Sequence, residues 1–174
     1  PDGGTLTLTA TNRTVEPATG GAEQPIPPGD NAAMAELRRT AGIPIMADES
    51  VFDWRDAERL IKADAVDYIN IKLAKSGGLL EAKKIAEEAG KRGTPCMIGG
   101  MLESRLALTA KVHFAMSQDN IIFYDLDTCL LGHLSDPVVG GAVYNRYYLE
   151  VTDAPGIDAD IDPSFLKDCE QCVI

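Results

Sequence analysis

The sequence contains little cysteine and no long apolar run. Its four cysteines, in 174 residues, are too few and too irregularly spaced for a disulfide scaffold, so we expect reduced thiols. Cys169 and Cys172 form a single CxxC pair, which without further ligands is weak support for a zinc or redox site. No segment approaches the roughly 18 uninterrupted apolar residues that span a bilayer, and the N-terminus has no secretory core. These absences predict a cytoplasmic protein without a membrane partner.

Positive charge is also scarce. The chain has 16 lysines and arginines against 27 aspartates and glutamates, which gives a net charge of -11. Such a surface repels phosphate groups, so the charge balance excludes nucleic acid as a partner. Hydrophobic residues make up 45% of the chain and charged residues 25%, which is typical of a globular protein that buries one substantial core.

The sequence does contain a regular alternation of short apolar runs and helical patterns. The repeat takes about 25 residues, the length of one strand, one helix and two loops. The predicted helices run from Asp30 to Gly42, Trp54 to Ala63, Leu79 to Ala89 and Ser104 to Met116, and the predicted strands are Ile43 to Asp48, Tyr68 to Leu73, Cys96 to Ile98, Ile121 to Tyr124 and an edge strand from Tyr144 to Val151. We therefore expect an α/β fold with a parallel sheet covered by helices.

Charged side chains stand at the ends of these apolar strands. They are Glu23, Asp48, Lys72, Glu103, Asp125 and Asp127. The carboxyl ends of parallel strands converge at one edge of a sheet, where functional groups gather. Several buried carboxylates need a counter-ion, and their oxygens suit Mg²⁺ better than a softer metal. The pattern predicts a Mg²⁺ site at this edge.

Lys72 lies within an apolar strand, and two interpretations of it stay open. A desolvated lysine beside a divalent ion loses pKa and can exchange protons near neutral pH, so Lys72 is the best candidate for an acid/base catalyst. Alternatively, Lys72 only forms an ion pair with Asp48 or Glu49.

The strand-end motifs, taken together, resemble the barrel of the muconate-lactonizing subgroup of the enolase superfamily. The motifs are Glu23-Gln24-Pro25, Ala47-Asp48-Glu49-Ser50, Asn70-Ile71-Lys72-Leu73-Ala74-Lys75-Ser76-Gly77-Gly78 and Met101-Leu102-Glu103-Ser104. The resemblance implies part of a (β/α)₈ TIM barrel, with Glu23 and Asp48 as Mg²⁺ ligands. It also implies that Lys72 is one of two opposed acid/base lysines, and that Mg²⁺ stabilises the enediolate left after proton loss.

Asp125 and Asp127 narrow the resemblance to dipeptide epimerases of the L-Ala-D/L-Glu type. Alternate residues of a strand point the same way, so the two carboxylates are placed to hold a substrate ammonium. The alternative is a solvated turn or a helix cap before Thr128. Glu103 is expected either to contact the substrate site or to cap the helix that follows Ser104. The implied activity is epimerisation of a small dipeptide by α-proton removal and return, an isomerase reaction.

Two departures from the family pattern keep other functions open. The third metal carboxylate is expected on an earlier strand, but the corresponding stretch Thr9-Ala10-Thr11-Asn12-Arg13 has none, and the second lysine is expected upstream. One alternative is another enzyme of the subgroup, such as an N-acylamino-acid racemase, an o-succinylbenzoate synthase or a cycloisomerase. Another is a non-catalytic half-barrel.

The same comparison predicts the organisation of the chain. Residues 1–22 are expected to be an irregular remnant of an early barrel strand, residues 23–151 the βα units, and residues 152–174 a tail. The chain does not begin with Met and is shorter than the roughly 250 residues of a full barrel, so we expect a fragment without the capping domain and first strands. Open sheet edges and uncovered apolar faces predict self-association as a homo-oligomer.

Overall fold

A parallel five-stranded sheet forms the centre of the protein. The structure, a computed structural model, describes residues 21–127, 129, 131, 133–146, 148–167 and 169–170. The strands are β1 (Ala22–Glu23), β2 (Ile45–Ala47), β3 (Tyr68–Ile71), β4 (Cys96–Ile98) and β5 (Ile121–Tyr124), and they pair in chain order. Consecutive parallel neighbours are what repeated βα units produce.

Helices follow these strands, and all but the last helix lie between two of them. Their bounds are α1 (Asn31–Thr40), α2 (Trp54–Lys62), α3 (Leu73–Ser76), α4 (Leu79–Lys91), α5 (Arg105–Met116) and α6 (Pro163–Lys167). The Asp30 side chain accepts a hydrogen bond from the backbone N–H of Ala33 and so caps α1, while Asp53 and Asp56 form a capping box at α2. The predicted strand from Tyr68 is shorter than expected because Leu73 already begins α3.

The two faces of the sheet differ in their surroundings. Alternate residues on the helix-covered face are fully buried, among them Ile45, Ala47, Ile69, Ile71, Cys96 and Ile98. The residues between them point to the other face, where Met46, Tyr68, Met97 and Phe123 line a cavity of about 320 Å³ together with Glu23. The rings of Tyr68 and Phe123 meet edge-to-face at 5.1 Å, although β4 lies between their strands. The sheet is therefore curved, with this face on its concave side.

Two small antiparallel sheets follow β5. Strand β6 (Val138–Gly140) pairs with β9 (Ala159–Ile161), and β7 (Val143–Asn145) pairs with β8 (Tyr148–Glu150). The prediction of one edge strand from Tyr144 to Val151 was wrong, because the chain reverses at Arg146, whose φ of 58° lies in the left-handed region. Strand β9 and helix α6 come from the segment predicted as a tail.

Two observations concern the remaining sequence predictions. No helix in the described part of the chain is both long and apolar enough to cross a membrane. Residues 1–20, most of the segment 1–22 that was predicted to be an irregular remnant of a barrel strand, lie outside the described residues.

Candidate active site at the carboxyl ends of the strands

Asp48 is the centre of a buried cluster of charges. It follows β2 directly, is 4% exposed, and contacts two lysines from the β3–α3 junction. The Nζ of Lys72 lies 2.6 Å from Asp48 Oδ2, and the Nζ of Lys75 lies 2.5 Å from Asp48 Oδ1. Lys75 also donates to the backbone carbonyls of Asp48 and Asn70, at 2.5 and 3.1 Å. The ion pair between Lys72 and Asp48 is thus present, as the second interpretation of Lys72 required.

The pKa values of the three groups reflect burial and mutual contact. Burial opposes the charge on Asp48, but hydrogen bonds from Lys72 and Lys75 outweigh it and lower the pKa of the carboxyl. Burial likewise opposes the charge on Lys72, yet its bond to Asp48 leaves the pKa raised. For Lys75, burial is the stronger effect and the pKa is lowered. Lys75 is therefore the more easily deprotonated of the two lysines.

Glu23 and Asp48 border one cavity of about 450 Å³. Gln24, Ile26, Pro28 and Glu49 complete its lining. The side-chain oxygen of Gln24 accepts hydrogen bonds from the backbone N–H groups of Asp48 and Ser50, at 2.9 and 3.1 Å. This amide ties the end of β1 to the end of β2, which explains the glutamine beside Glu23 in the first motif.

The cavity offers hard oxygen donors of the kind that Mg²⁺ prefers. Three carboxylates line it: Glu23 at the end of β1, and Asp48 and Glu49 just after β2. Within the described ranges, no three side chains of His, Cys, Asp or Glu form a group that could enclose a metal. The stretch Thr9 to Arg13, where the third carboxylate was expected, lies outside those ranges. The donor set present fits two ligands of a Mg²⁺ ion.

Asp125 and Asp127 follow β5 with the buried Leu126 between them. The backbone N–H of Asp125 donates to the Ile98 carbonyl at 2.9 Å and extends the strand pairing, and its Oδ2 accepts from the Gly100 N–H at 3.1 Å. Asp127 is exposed. The hydroxyl of Tyr144, in β7, donates to the Leu126 carbonyl. Hydrogen bonds from Gly100 and Tyr144 therefore hold the segment that carries the two carboxylates.

The side chain of Glu103 pairs with a lysine that its motif did not indicate. Its carboxylate lies 2.6 Å from the Nζ of Lys111, a lysine of α5 that is 0% exposed. Ser104, at the start of α5, has no side-chain cap, and His133 bonds the Glu103 carbonyl at 2.9 Å. The predicted substrate contact of Glu103 stays a prediction, while the observed partner of its side chain is Lys111.

Three residues that matter here received no functional role from the sequence. Lys75 appeared only as part of a motif, and the structure pairs it with Asp48. Asn70 and Lys111 were not singled out, although both are fully buried polar residues within apolar stretches. Their burial was the missing information, because an asparagine in a strand or a lysine in a helix is usually exposed.

The chain is similar in sequence to one protein family and to known enzymes. A family profile described as enolase C-terminal domain-like matches residues 13–165. The D-Ala-D/L-Ala epimerase of Cytophaga hutchinsonii is 40% identical over 153 residues, which are 87% of this chain and 41% of that protein. The N-succinyl-L-Arg/Lys racemase of Bacillus cereus is 34% identical over 146 residues, which are 84% of this chain and 39% of that protein.

A solved structure shares the fold. The dipeptide epimerase from Cytophaga hutchinsonii, crystallised with Mg and the dipeptide D-Ala-L-Val, aligns with a TM-score of 0.81 at 41% identity. The alignment covers 85% of this chain and 40% of that one, so the chain spans about two fifths of the proteins it matches. The predicted fold, part of a (β/α)₈ barrel, is confirmed.

Proposed function

Because the chain belongs to the enolase C-terminal domain-like family, we propose that the complete protein carrying it is an isomerase that epimerises dipeptides. Relatives named as an epimerase and a racemase support the reaction class, and the dipeptide in a similar structure supports the substrate class. The strongest structural support is the alignment of Glu23, Asp48 and Lys72 at the ends of three adjacent parallel strands.

Mg²⁺ is the cofactor of this proposal. Glu23 and Asp48 would hold it, because both carboxylates line the same cavity and a similar structure contains Mg with a dipeptide. A bound divalent ion would offset the negative charge that develops on the substrate carboxylate as the α-proton leaves. The remaining ligands would come from residues outside the described ranges, from the substrate or from water.

Lys72 is the proposed acid/base catalyst on one face of the substrate. Its hydrogen bond to Asp48 keeps its pKa raised, so in this structure Lys72 is an ammonium, the form that returns a proton to the α-carbon. Removing a proton on the same face requires the neutral amine. Lys75 binds Oδ1 of Asp48 and so holds in place the carboxylate whose Oδ2 pairs with Lys72. A second lysine, expected upstream, would act on the opposite face.

Asp125 and Asp127 are the proposed binding groups for the free α-ammonium of the dipeptide. The hydrogen bond from Gly100 orients the Asp125 carboxylate, and Asp127 is exposed at the same strand end. Two carboxylates attract a cationic ammonium and form no ion pair with the neutral amide of an acylated amine, so they favour a substrate with a free N-terminus.

A second candidate is racemisation of N-acylated amino acids. The N-succinyl-L-Arg/Lys racemase among the relatives favours it. The two candidates differ at the substrate amine, which is charged in a dipeptide and neutral in an acylated amino acid. Turnover of both substrate classes by the same preparation therefore separates them.

The test follows exchange of the α-proton by NMR in ²H₂O, with the complete protein, Mg²⁺, L-Ala-L-Glu and apolar dipeptides, and N-succinyl amino acids. We expect exchange into dipeptides, its loss in Lys72→Met, and wild-type exchange in Lys84→Met, which removes an exposed lysine of α4. Exchange confined to N-succinyl substrates would establish the second candidate. No exchange into any substrate would overturn both and favour a non-catalytic half-barrel.

A further inference from the structure

Asn70 is a buried polar side chain at the bottom of the candidate site. It belongs to β3, two residues before Lys72, and is 1% exposed between Ile69 and Ile71. Its Nδ2 donates to Oε1 of Glu23 at 2.5 Å, while its buried Oδ1 has no hydrogen-bond partner among the described residues. A buried carbonyl without a hydrogen bond costs free energy, so this side chain is not optimal for stability alone.

The contact between Asn70 and Glu23 crosses a strand. Strand β2 lies between β1 and β3, and alternate strands of a flat sheet are separated by roughly 9.5 Å. The two side chains meet only because the sheet is curved and both point to its concave side. Their contact joins residues 47 positions apart. It therefore depends on the barrel geometry that also brings Glu23 and Asp48 to one cavity.

Gly99 makes room for the amide on its other side. A Cβ at this position would come within 2.2 Å of Asn70 Oδ1, so no larger residue is accommodated while Asn70 keeps its place. The backbone N–H of Gly99 donates to the Ile71 carbonyl at 2.8 Å, which fixes the glycine against β3. The amide is thus enclosed between Glu23 and Gly99.

The orientation of the amide is determined by charge. Rotating it by half a turn would direct Oδ1 at the Glu23 carboxylate and lose a charge-assisted hydrogen bond. An aspartate at position 70 would place a second negative charge there, and an apolar residue would leave Glu23 Oε1 without its donor. The N–H of Asn70 both satisfies and orients Glu23.

We propose that Asn70 is a positioning residue that holds the Glu23 carboxylate ready for a divalent cation by binding one of its oxygens and leaving the other free. Asn70 itself does not line the cavity, so it acts through Glu23 and not as a ligand. The proposal rests on the proposed function in assigning Glu23 to Mg²⁺. Residues that orient metal ligands typically contribute about 10- to 100-fold to metal affinity.

The test measures Mg²⁺ affinity by calorimetry, with thermal unfolding and dipeptide exchange on the same samples of the complete protein. Asn70→Leu removes the donor and keeps similar volume. Asn120→Leu is the matched control, because Asn120 also donates a partly buried side-chain hydrogen bond, to Ala86. Asn120 lies just before β5, at the amino end of that strand and two strands away from β3, which carries Asn70. Both variants lose a hydrogen bond and should lose comparable stability.

We expect Asn70→Leu to weaken Mg²⁺ binding by about 10-fold or more and Asn120→Leu to leave it unchanged. Asn70→Asp should weaken it further or abolish it. Equal Mg²⁺ affinity in the wild type and Asn70→Leu would overturn the positioning role, and so would absence of Mg²⁺ binding by the wild type. If the wild type binds Mg²⁺ but exchanges no dipeptide proton, the proposed function fails while the affinities still decide the role of Asn70.

Discussion

The ammonium nitrogen of Lys111 lies 2.6 Å from a carboxylate oxygen of Glu103, and neither side chain has appreciable contact with solvent. The exposed fractions of the two side chains are 0% and 9%. Removing one partner of such a pair leaves an uncompensated buried charge, which is costlier than the pair itself. The ion pair also lies beside the Gly99 carbonyl, 3.5 Å from the Lys111 nitrogen, and so supports the loop between β4 and α5.

We predict that Lys111→Met lowers the free energy of unfolding by about 3 to 5 kcal/mol, because Glu103 loses its counter-ion in a low-dielectric environment. Adding Glu103→Gln should recover much of that loss, since the double variant has no buried charge. Urea unfolding of the three proteins measures both effects. Lys83→Met is the surface control, and its exposed ion pair with Glu87 should be worth about 1 kcal/mol or less. A double variant no more stable than Lys111→Met would contradict the ion-pair explanation.

The proposed ammonium site leads to a second prediction. Asp127→Ala should lower kcat/KM for dipeptides by about 10- to 100-fold in the complete protein, because a charged hydrogen bond is worth about 1.5 to 3 kcal/mol. Turnover of N-succinyl amino acids should not fall. Asp119→Ala removes an exposed carboxylate before β5, at the opposite end of the same strand, and should change neither rate. Steady-state kinetics with both substrate classes checks this, and an unaffected dipeptide rate in Asp127→Ala would remove the main support for dipeptides.

The βα part of the fold was predictable because its signals are local. The side chain of Asp53 begins α2, and strands such as Cys96–Ile98 and Ile121–Tyr124 are short apolar runs bounded by turn residues. The reversal at Arg146 carried no such signal, since a non-glycine residue with positive φ is not evident from sequence. The alternating pattern around it therefore suggested one strand where two exist.

The candidate site was only partly predictable, because its contacts cross strands. The order of Glu23, Asp48 and Lys72 along the chain indicated that they share an edge. The partner of each side chain, however, depends on sheet curvature and on the one-turn helix α3, which brings Lys75 back to Asp48. The pairing of Glu103 was missed because Lys111 lies in a helix, where a lysine usually reaches solvent.

Tyr144 provides a third prediction, about the segment between the two aspartates. Burial raises the pKa of Tyr144, so its hydroxyl stays protonated and donates to the Leu126 carbonyl. Tyr144→Phe should lower the free energy of unfolding by about 0.5 to 1.5 kcal/mol. In the complete protein it should also raise KM for dipeptides more than it lowers kcat. The reason is that the backbone between Asp125 and Asp127 is then no longer held in place by a hydrogen bond to the Leu126 carbonyl.

The control for Tyr144 lies on the paired strand of the same hairpin. Tyr148→Phe removes a hydroxyl from β8, which pairs with β7 through Asn145 and Tyr148. We expect it to change neither KM nor kcat. Equal kinetic effects of the two substitutions would indicate that the hairpin acts only as a structural support, and an unchanged KM in Tyr144→Phe would contradict the positioning of the aspartates.

The fourth prediction concerns Cys96, which faces the helices from β4 and is fully buried. Burial raises the pKa of its thiol to about 12, against about 8.5 for a free cysteine. Between these values the folded chain retains a proton that the unfolded chain releases, so stability should fall as pH rises above about 8.5. At pH 8.5, iodoacetamide should alkylate the exposed Cys169 and leave Cys96 unmodified until urea unfolds the chain, as measured by peptide mass spectrometry. Alkylation of both thiols at one rate in the folded chain would show that β4 opens readily and that the sheet core is less stable than its packing indicates.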